Sequence, residues 1–239
     1  HTFDIITLGQ SYVDFFGEQI GANLKDMMSF KKHVGGMPSF ARGFSRLGLK
    51  TALISSVGHD DFGQFIIDAM NHEQVDISQV QIDAKHASAL MFRAQQNRMS
   101  FPLLTYHNQC ADILEEATDI SSTFIGKAQA LFITSSNFNS KNGHRVIKEA
   151  ISAANEKQTK IILALDQVDD NNQNSLLKTL PFCSLVIGFE QDFHYLAGVK
   201  ETHTALTQLR ALTNAIFVVK NAQGCFTFTQ IPNDLTTTP

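Results

Sequence analysis

The chain has 239 residues, of which 43% are hydrophobic and 18% are charged, a composition typical of a soluble globular protein rather than a disordered one. Its formal net charge of −4 at pH 7 provides no bulk attraction for nucleic acid or for an anionic membrane. No apolar run approaches the roughly 20 residues that a membrane-spanning helix needs. The three cysteines lie far apart, so we expect free thiols and a cytoplasmic location.

The first part of the chain alternates apolar, strand-length runs with amphipathic helices. Phe3–Leu8 predicts a strand, and a polar, irregular stretch follows through Asn23. Pro38–Leu47 predicts a helix, because two glycines precede it, proline lies in its first turn and a glycine follows it. Thr51–Val57 predicts the next strand, and Asp60 caps a second amphipathic helix.

The middle of the chain has short strand candidates with no helical pattern between them. These are Gln79–Ile82, Ala87–Ala94 and Phe101–His107. Asn97 and Arg98 provide a turn between the last two. The pattern predicts a small antiparallel sheet inserted into the larger alternation.

Strand–helix alternation then resumes and continues almost to the end of the chain. The strand candidates are Leu131–Thr134, Lys160–Leu165, Leu185–Ile187, Ile216–Val219 and Phe226–Thr229. The helix candidates between them are Lys141–Glu156, Phe189–Leu196 and Thr202–Thr213. Apolar strands in this arrangement indicate a mostly parallel sheet with helices on both faces. We therefore predict a single α/β domain over residues 1–239, which ends without a closing helix.

Two runs near the start carry candidate chemistry. Val34–Gly48 reads VGGMPSFARGFSRLG, and its two glycines either let a ligand approach main-chain amides or make an ordinary tight entry into a helix. Asp14 follows the first strand, where open α/β sheets place ligands, and its carboxylate can accept hydrogen bonds from two hydroxyls of a polyol. We expect a cleft carboxylate whose removal lowers the affinity for such a polyol and leaves stability almost unchanged. A loop-capping aspartate, which would affect stability instead, is the alternative.

These runs, together with VGHDDFGQFI at 57–66, resemble the PfkB, or ribokinase-like, family of carbohydrate kinases. The shared order is a strand, a Gly-x-x-x-x-Asp turn, a Gly-Gly entry to a helix that ends in Arg-Leu-Gly, a strand, and a Val-Gly-x-Asp-x-x-Gly helix start. The small sheet resembles the family's lid, with lid strands over about 10–34 and 79–108. The resemblance implies a ribokinase-like fold and transfer of the ATP γ-phosphoryl group, with Mg²⁺, to a primary hydroxyl of a sugar.

The same resemblance implies which residues bind which ligand. The substrate-binding set is Asp14, Gly35, Gly36, Tyr106, His107 and Asp166, and the nucleotide-binding set is Asp192, Lys220 and Gly224. Phe101–Asp112 is similar to the lid end of the 5-dehydro-2-deoxygluconokinases within the family, although related keto-deoxy-sugar-acid kinases carry arginine where this chain has His107. The implied substrate is a sugar or a keto-deoxy sugar acid such as 5-dehydro-2-deoxygluconate.

The chain also departs from the family pattern. The asparagine that follows Gly-Gly in relatives is absent, since Ser39 is followed directly by Phe40. The Gly-Ala-Gly-Asp motif, which supplies the anion hole and the general base, does not occur in these residues. We therefore assign no catalytic residue and no metal ligand, and expect a polypeptide of these residues alone to be inactive. A missing C-terminal part and a catalytically inactive ligand-binding or regulatory protein on the same fold both remain open.

The strand candidates of the lid are unusually apolar for a free flap. Their apolar residues include Leu90, Met91, Phe92, Phe101, Leu103 and Leu104. Exposed apolar sheet surface usually acquires a partner, and members of the family that this chain resembles often pair their lids. We expect a homodimer through the lid, a small-molecule sugar or sugar acid as the ligand, and neither nucleic acid nor membrane as a partner.

Overall fold

A computed structural model of the chain describes residues 1–97, 100–113, 120–229 and 236–238. Its backbone divides into two compact units. The N-terminal unit contains residues 3–115, and the C-terminal unit contains residues 1–2 and 116–239. The single domain expected from the sequence stays a prediction.

The N-terminal unit contains two sheets. Its strands are β1 (Phe3–Leu8), β2 (Ser11–Gly17), β3 (Phe30–Gly36), β4 (Thr51–Gly58), β5 (Asp76–Asp83), β6 (Ala89–Arg93) and β7 (Leu103–Tyr106), and its helices are α1 (Met37–Arg46) and α2 (Asp61–His72). Strands β1, β4 and β5 are parallel neighbours in that order, and every residue of β4 is buried. The other four form a sheet in the order β3-β2-β6-β7, which we call the lid sheet.

The lid sheet is antiparallel at its two outer pairs and parallel at its centre. β3 runs antiparallel to β2, and β7 runs antiparallel to β6. β2 and β6 are parallel, and the long connection through β3, β4 and β5 provides the crossover that a parallel pair requires. The predicted inserted sheet is thus confirmed, with one parallel pair that its short strands did not indicate.

Both helices of the N-terminal unit begin as the sequence predicts. Gly36 precedes α1 with a φ of 67°, a conformation that favours glycine, and Pro38 lies in the first turn. The Asp60 side chain caps α2 by accepting hydrogen bonds from the backbone N–H groups of Phe62 and Gly63 at 3.0 and 2.8 Å. The two predicted helix starts are therefore confirmed.

The C-terminal unit contains one sheet with helices between its strands. Its strands are β8 (Ala128–Thr134), β9 (Lys160–Leu165), β10 (Leu185–Phe189), β11 (Ile216–Asn221), β12 (Gly224–Phe228) and β13 (Thr236–Thr238), and its helices are α3 (Ser122–Ile125), α4 (Lys141–Glu156), α5 (Gln173–Thr179), α6 (Glu190–Ala197) and α7 (Thr202–Arg210). β8 to β11 are parallel neighbours, whereas β12 and β13 are added antiparallel. The strands and helices predicted from 131 onward lie where the sequence placed them, within a few residues.

Two parts of the sequence interpretation are wrong, and both concern the lid. The residue pattern through Asn23 indicates an irregular stretch, whereas the family resemblance implies lid strands over about 10–34. Ser11–Gly17 is β2, whose hydrogen-bond partners come from distant strands, so the interpretation from the pattern is wrong. Gln79–Ile82 was assigned to the lid, but it lies within β5 and pairs in parallel with β4. A short strand does not reveal its partner, because pairing depends on residues far away in sequence. Arg98, expected in a turn, lies outside the described residues.

The residue pattern does not predict every helix of the C-terminal unit. α5 was not predicted, because Gln173–Thr179 is short and mostly polar, with Leu176 and Thr179 as its buried positions. None of the helices in the described part of the chain has the length and apolar content that crossing a membrane requires.

Candidate functional site

The register of the lid sheet assigns its side chains to two faces. Asp14 is paired with His33 on β3 and with Met91 on β6, so these three side chains project to one face. Phe15 is paired with Phe92 and projects to the opposite face, where the two rings stack at 4.8 Å. The Phe15 ring also contacts Phe62 of α2, with ring centroids 5.7 Å apart. We call the side of the sheet that carries Phe15 and Phe92 the aromatic face; it packs on α2. We call the opposite side, which carries Asp14, the Asp14 face.

Asp14 lies within β2 and forms an ion pair on its own face of the sheet. Arg93 Nε donates to both of its carboxylate oxygens, at 2.9 and 2.7 Å. Burial raises the pKa of Asp14, while the hydrogen bond and charge of Arg93 and the charge of His33 act in the opposite direction. Only 6% of Asp14 is exposed. Asp14 is therefore not a loop cap, and it is more closely packed than the expected cleft carboxylate, because β2 is paired on both sides. Its contact with a sugar stays a prediction.

Gly35 and Gly36 are required by β2 itself. A Cβ atom on Gly35 would lie 2.1 Å from Cε2 of the Tyr12 ring, and one on Gly36 would lie 2.1 Å from the backbone oxygen of Gln10. That same oxygen accepts a hydrogen bond from the backbone N–H of Met37 at 2.8 Å. Of the two alternatives for the glycine pair, the tight helix entry accounts for the geometry, and a ligand contact stays a prediction.

Tyr106 does not lie with Asp14. Its partner in the β6–β7 register is Leu90, and its ring contacts Phe92 at 6.0 Å, edge to face, which places it on the aromatic face. The side chain is 57% exposed. The structure therefore separates two residues that the sequence analysis assigned to one sugar site.

A second polar cluster of the N-terminal unit surrounds Asp112, which the sequence analysis did not select. Burial raises the pKa of Asp112 to about 6, opposed by the hydrogen bond from Gln10 and the charge of His107. Gln10 Nε2 donates to Oδ2 of Asp112 at 2.7 Å, and the backbone N–H of Ser11 donates to its carbonyl oxygen at 2.7 Å. The charge of His107 therefore acts on Asp112. Nothing in the sequence marked this carboxyl group, since its partner Gln10 is 102 residues away.

In the C-terminal unit, Asp166 follows β9 at the carboxyl end of the parallel strands. Its carboxylate accepts hydrogen bonds from Ser135 Oγ at 2.9 Å, Ser136 Oγ at 2.7 Å and the backbone N–H of Ser136 at 2.9 Å. Ser135 and Ser136 directly follow the neighbouring strand β8. Parallel strand ends meet at one edge of a sheet, and ligands of open α/β sheets bind there.

Asp192 and Lys220 lie near Asp166 at the same edge. Asp192, in the first turn of α6, accepts a hydrogen bond from the backbone N–H of Phe189 at 3.1 Å. Burial raises the pKa of Asp192, the Asp166 charge raises it further, and the Phe189 hydrogen bond and the Lys220 charge lower it. The Lys220 ammonium lies 4.4 Å from the centroid of the Phe189 ring. The structure thus brings together three of the predicted site residues of this unit.

Gly224 lies beyond this edge, at the hairpin between β11 and β12. Its φ of 147° favours glycine, and its N–H donates to the Asn221 side chain at 3.1 Å. No cluster of three or more potential metal-binding His, Cys, Asp or Glu side chains occurs in the residues that the structure describes. Asp166 and Asp192 are nevertheless two carboxylates whose mutual repulsion a cation would relieve, and Mg²⁺ commonly takes one or two carboxylates together with phosphate oxygens.

Several known proteins are similar to this chain in sequence. Residues 3–237 match the protein family described as pfkB family carbohydrate kinase. The chain is 30% identical over 234 residues to a 5-dehydro-2-deoxygluconokinase of Clostridium botulinum (strain Alaska E43), across 92% of this chain and 69% of that protein. It is 28% identical over 166 residues to the kinase of the same name from Bacillus licheniformis, across 69% of this chain and 51% of that protein. The chain thus spans about half the length of the second relative.

A solved structure shows the same fold. It is an E. coli protein assigned as a ribokinase II, crystallised with ATP and Mg²⁺. The TM-score is 0.89 with 16% sequence identity, across 99% of this chain and 78% of that one. The similarity confirms the predicted mostly parallel α/β architecture with a small additional sheet.

Proposed function

The chain belongs to the pfkB family of carbohydrate kinases, and we propose that the complete protein phosphorylates a primary hydroxyl of a keto-deoxy sugar acid, with ATP as the donor. Relatives named 5-dehydro-2-deoxygluconokinase support 5-dehydro-2-deoxygluconate or a close analogue as the substrate. The family match and the kinase-named relatives favour a kinase over the catalytically inactive alternative. Within the structure, the observation that carries the proposal is the buried Asp14 carboxylate, held by Arg93 in the lid sheet.

On the sugar side, Asp14 is suited to bind hydroxyl groups. Each carboxylate oxygen accepts more than one hydrogen bond, so both oxygens can accept from a sugar while Arg93 holds them. The ion pair fixes the orientation of the carboxylate before the sugar arrives, which reduces the entropy lost on binding. A rigid lid strand would exclude water, which otherwise competes with the sugar as phosphoryl acceptor.

On the phosphate side, we propose that Asp166, Asp192 and Lys220 serve Mg²⁺ and ATP. Lys220 would donate to phosphate oxygens, and the two carboxylates would hold the cation or its waters. When bound, Mg²⁺ neutralises charge on the phosphates and helps to position the transferred group. Backbone at Gly224 would allow the nucleotide to approach closely. We assign the general base to none of these residues, since the Gly-Ala-Gly-Asp motif is absent from them.

The test is ATP turnover by the complete protein, measured in a coupled assay with 5-dehydro-2-deoxygluconate, 2-keto-3-deoxygluconate, ribose and fructose. We expect turnover with at least one keto-deoxy sugar acid and a clear preference for it over the neutral sugars. Turnover with only fructose or ribose would support a sugar kinase but contradict a keto-deoxy sugar acid as its substrate. No turnover with any of these compounds would contradict the proposed function.

We further propose a homodimer through the lid sheet, in a cytoplasmic protein. The large apolar side chains exposed on or beside the lid strands are Phe16, Phe101, Leu103, Leu104 and Tyr106. β7 is an edge strand of the lid sheet, and exposed edges pair readily with another chain. The free thiols of Cys110, Cys183 and Cys225 support a reducing compartment. A strictly monomeric mass by light scattering at micromolar concentration would contradict the dimer.

A further inference from the structure

Arg93 projects from the Asp14 face of the lid sheet. In the parallel pairing of β2 and β6, Met91 is opposite Asp14 and Arg93 is opposite Phe16, so all four side chains share one face. The Arg93 side chain is 31% exposed, and its guanidinium carbon lies 5.8 Å from the centroid of the Phe16 ring. Contacts with Asp14 and Phe16 therefore hold the guanidinium on the same surface as the carboxylate that we assign to the sugar.

The terminal nitrogens of Arg93 retain hydrogen-bonding capacity. Both bonds to Asp14 come from Nε, and Nη2 lies 3.8 Å from the Met91 sulfur, which is a weak acceptor. These are the side-chain hydrogen bonds of Arg93 among the residues that the structure describes. The Nη1–Nη2 edge can therefore take a carboxylate in the paired, two-bond geometry that arginine favours.

Neighbouring charges on this face favour an anion. Asp14 and Arg93 compensate each other, whereas Lys31 and His33 are opposite Phe16 and Asp14 in the β2–β3 register and share their face. Lys31 therefore adds a positive charge to the face, and the charge of His33 already lowers the pKa of Asp14. Tyr106 lies on the aromatic face, so it does not lie beside Asp14. Among the described residues of the lid strands, Arg93 is the arginine on the Asp14 face.

We propose that Arg93 is the specificity-determining residue of the lid: its terminal nitrogens bind the carboxylate of the sugar acid while Asp14 accepts hydrogen bonds from its hydroxyls. This inference rests on the proposed function, because it names the group that selects an acid over a neutral sugar. The ion pair places two groups side by side: the Asp14 carboxylate, which accepts hydrogen bonds from hydroxyls, and the Arg93 guanidinium, which donates hydrogen bonds to a carboxylate.

The experiment compares Arg93→Gln with the matched control Arg46→Gln in the complete protein. Arg46 of α1 also holds a carboxylate, that of Glu73, through Nε at 3.0 and 2.9 Å, but it lies outside the lid sheet. The substrates are 5-dehydro-2-deoxygluconate and its carboxamide, which keeps the hydroxyls and lacks the negative charge. Steady-state kinetics give KM and kcat for each compound with each variant.

Both compounds lose the Asp14 carboxylate that Arg93 holds in place, but only the acid also loses a partner for its own carboxylate. We therefore expect Arg93→Gln to raise KM for the acid at least about tenfold more than it raises KM for the carboxamide. The control should change neither value. Arg93→Lys keeps a positive charge beside Asp14, so it should retain the fold even if the glutamine variant does not. Because lysine cannot form the two-bond pair, its KM for the acid should lie between those of the wild type and Arg93→Gln.

An equal rise in KM for both compounds would overturn the inference, since Arg93 would then act only by holding Asp14. An unchanged KM for the acid would overturn it as well. A wild-type protein that phosphorylates sugars without preferring the acid to the carboxamide would overturn it and leave the sugar kinase intact. A wild-type protein that phosphorylates none of the sugars would contradict the proposed function and this inference together.

Discussion

The lid sheet of the N-terminal unit and the strand ends of the C-terminal unit hold their charged groups in different ways. Asp14 is buried within a strand that is paired on both sides, and its counter-charge comes from 79 residues away. Asp166 is exposed beyond the end of a strand, and its partners are two hydroxyls and one backbone N–H of the neighbouring loop. In the lid sheet, candidate function and stability therefore depend on the same atoms, whereas at the strand ends they are largely separate.

The largest effect should come from replacing one aspartate by alanine in each region. Asp14→Ala removes the partner of Arg93, whose side chain is about two-thirds buried, so we expect a loss of about 3 kcal/mol in the free energy of unfolding. Sugar affinity should fall roughly tenfold or more, because one charge-assisted hydrogen bond contributes about 1.5–3 kcal/mol. Asp166→Ala should cost about 1 kcal/mol or less in stability, since its partners can bind water instead.

Denaturant unfolding and calorimetric titration with the sugar acid measure both quantities on each variant. Arg46→Ala, which removes one side of an exposed ion pair, is the control for loss of a surface charge pair and should change stability by less than about 1 kcal/mol. If Asp14→Ala and Asp166→Ala cost the same stability, the distinction between the two regions fails.

A smaller effect should appear as a pH dependence at Asp112. Because the folded-state pKa of about 6 is above the ordinary value of 3.8, the folded protein binds the proton more tightly than the unfolded chain does. The resulting stabilisation is fully present below about pH 4 and is lost as the pH rises through 6. Asp112→Asn keeps an acceptor for Gln10 and removes the titration, so its stability relative to the wild type should increase by about 2–3 kcal/mol between pH 4 and pH 7.

Unfolding free energies at several pH values between about 4 and 7.5 check this prediction. The matched control is Asp26→Asn, which replaces an exposed aspartate of the same unit by asparagine. A difference between Asp112→Asn and the wild type that does not vary with pH would show that this carboxyl group titrates alike in the folded and unfolded states.

The smallest effect on stability should come from Lys220→Gln at the strand ends. The lysine contributes a cation–π contact with Phe189, so we expect a cost of about 0.5–1 kcal/mol. ATP affinity should fall about fivefold or more, with a weaker dependence on salt, because a cation would be lost from the phosphate side. Lys160→Gln, at the opposite end of β9, is the matched control and should leave ATP affinity unchanged. An unchanged ATP affinity in Lys220→Gln would remove this residue from the nucleotide site.

Much of the fold could be predicted from the sequence because its signals are local. Phe3–Leu8 and Lys160–Leu165 are apolar runs of strand length, and Lys141–Glu156 has a helical stripe, so each element was predicted with the bounds that the structure has. Asp60 was predicted as a helix cap because a carboxylate there satisfies free N–H groups of the first turn. The candidate residues at the strand ends, Asp166 and Asp192, came from the family resemblance, and they follow or begin elements that the residue pattern predicts.

The lid sheet was decided by tertiary structure. The sequence by itself determined that short apolar strands lie around residues 87–107, that Gly35 and Gly36 precede a helix, and that Asp14 follows the first strand. The resemblance implied lid strands over about 10–34, but only pairing decided that Ser11–Gly17 is one of them. Pairing also placed Gln79–Ile82 beside β4 and put Tyr106 and Asp14 on opposite faces. The physical reason is that successive side chains of a strand alternate between faces, so a residue's surroundings depend on the register with distant strands. No local pattern records that Arg93 lies beside Asp14, that Gln10 donates a hydrogen bond to Asp112, or that burial raises the pKa of Asp112.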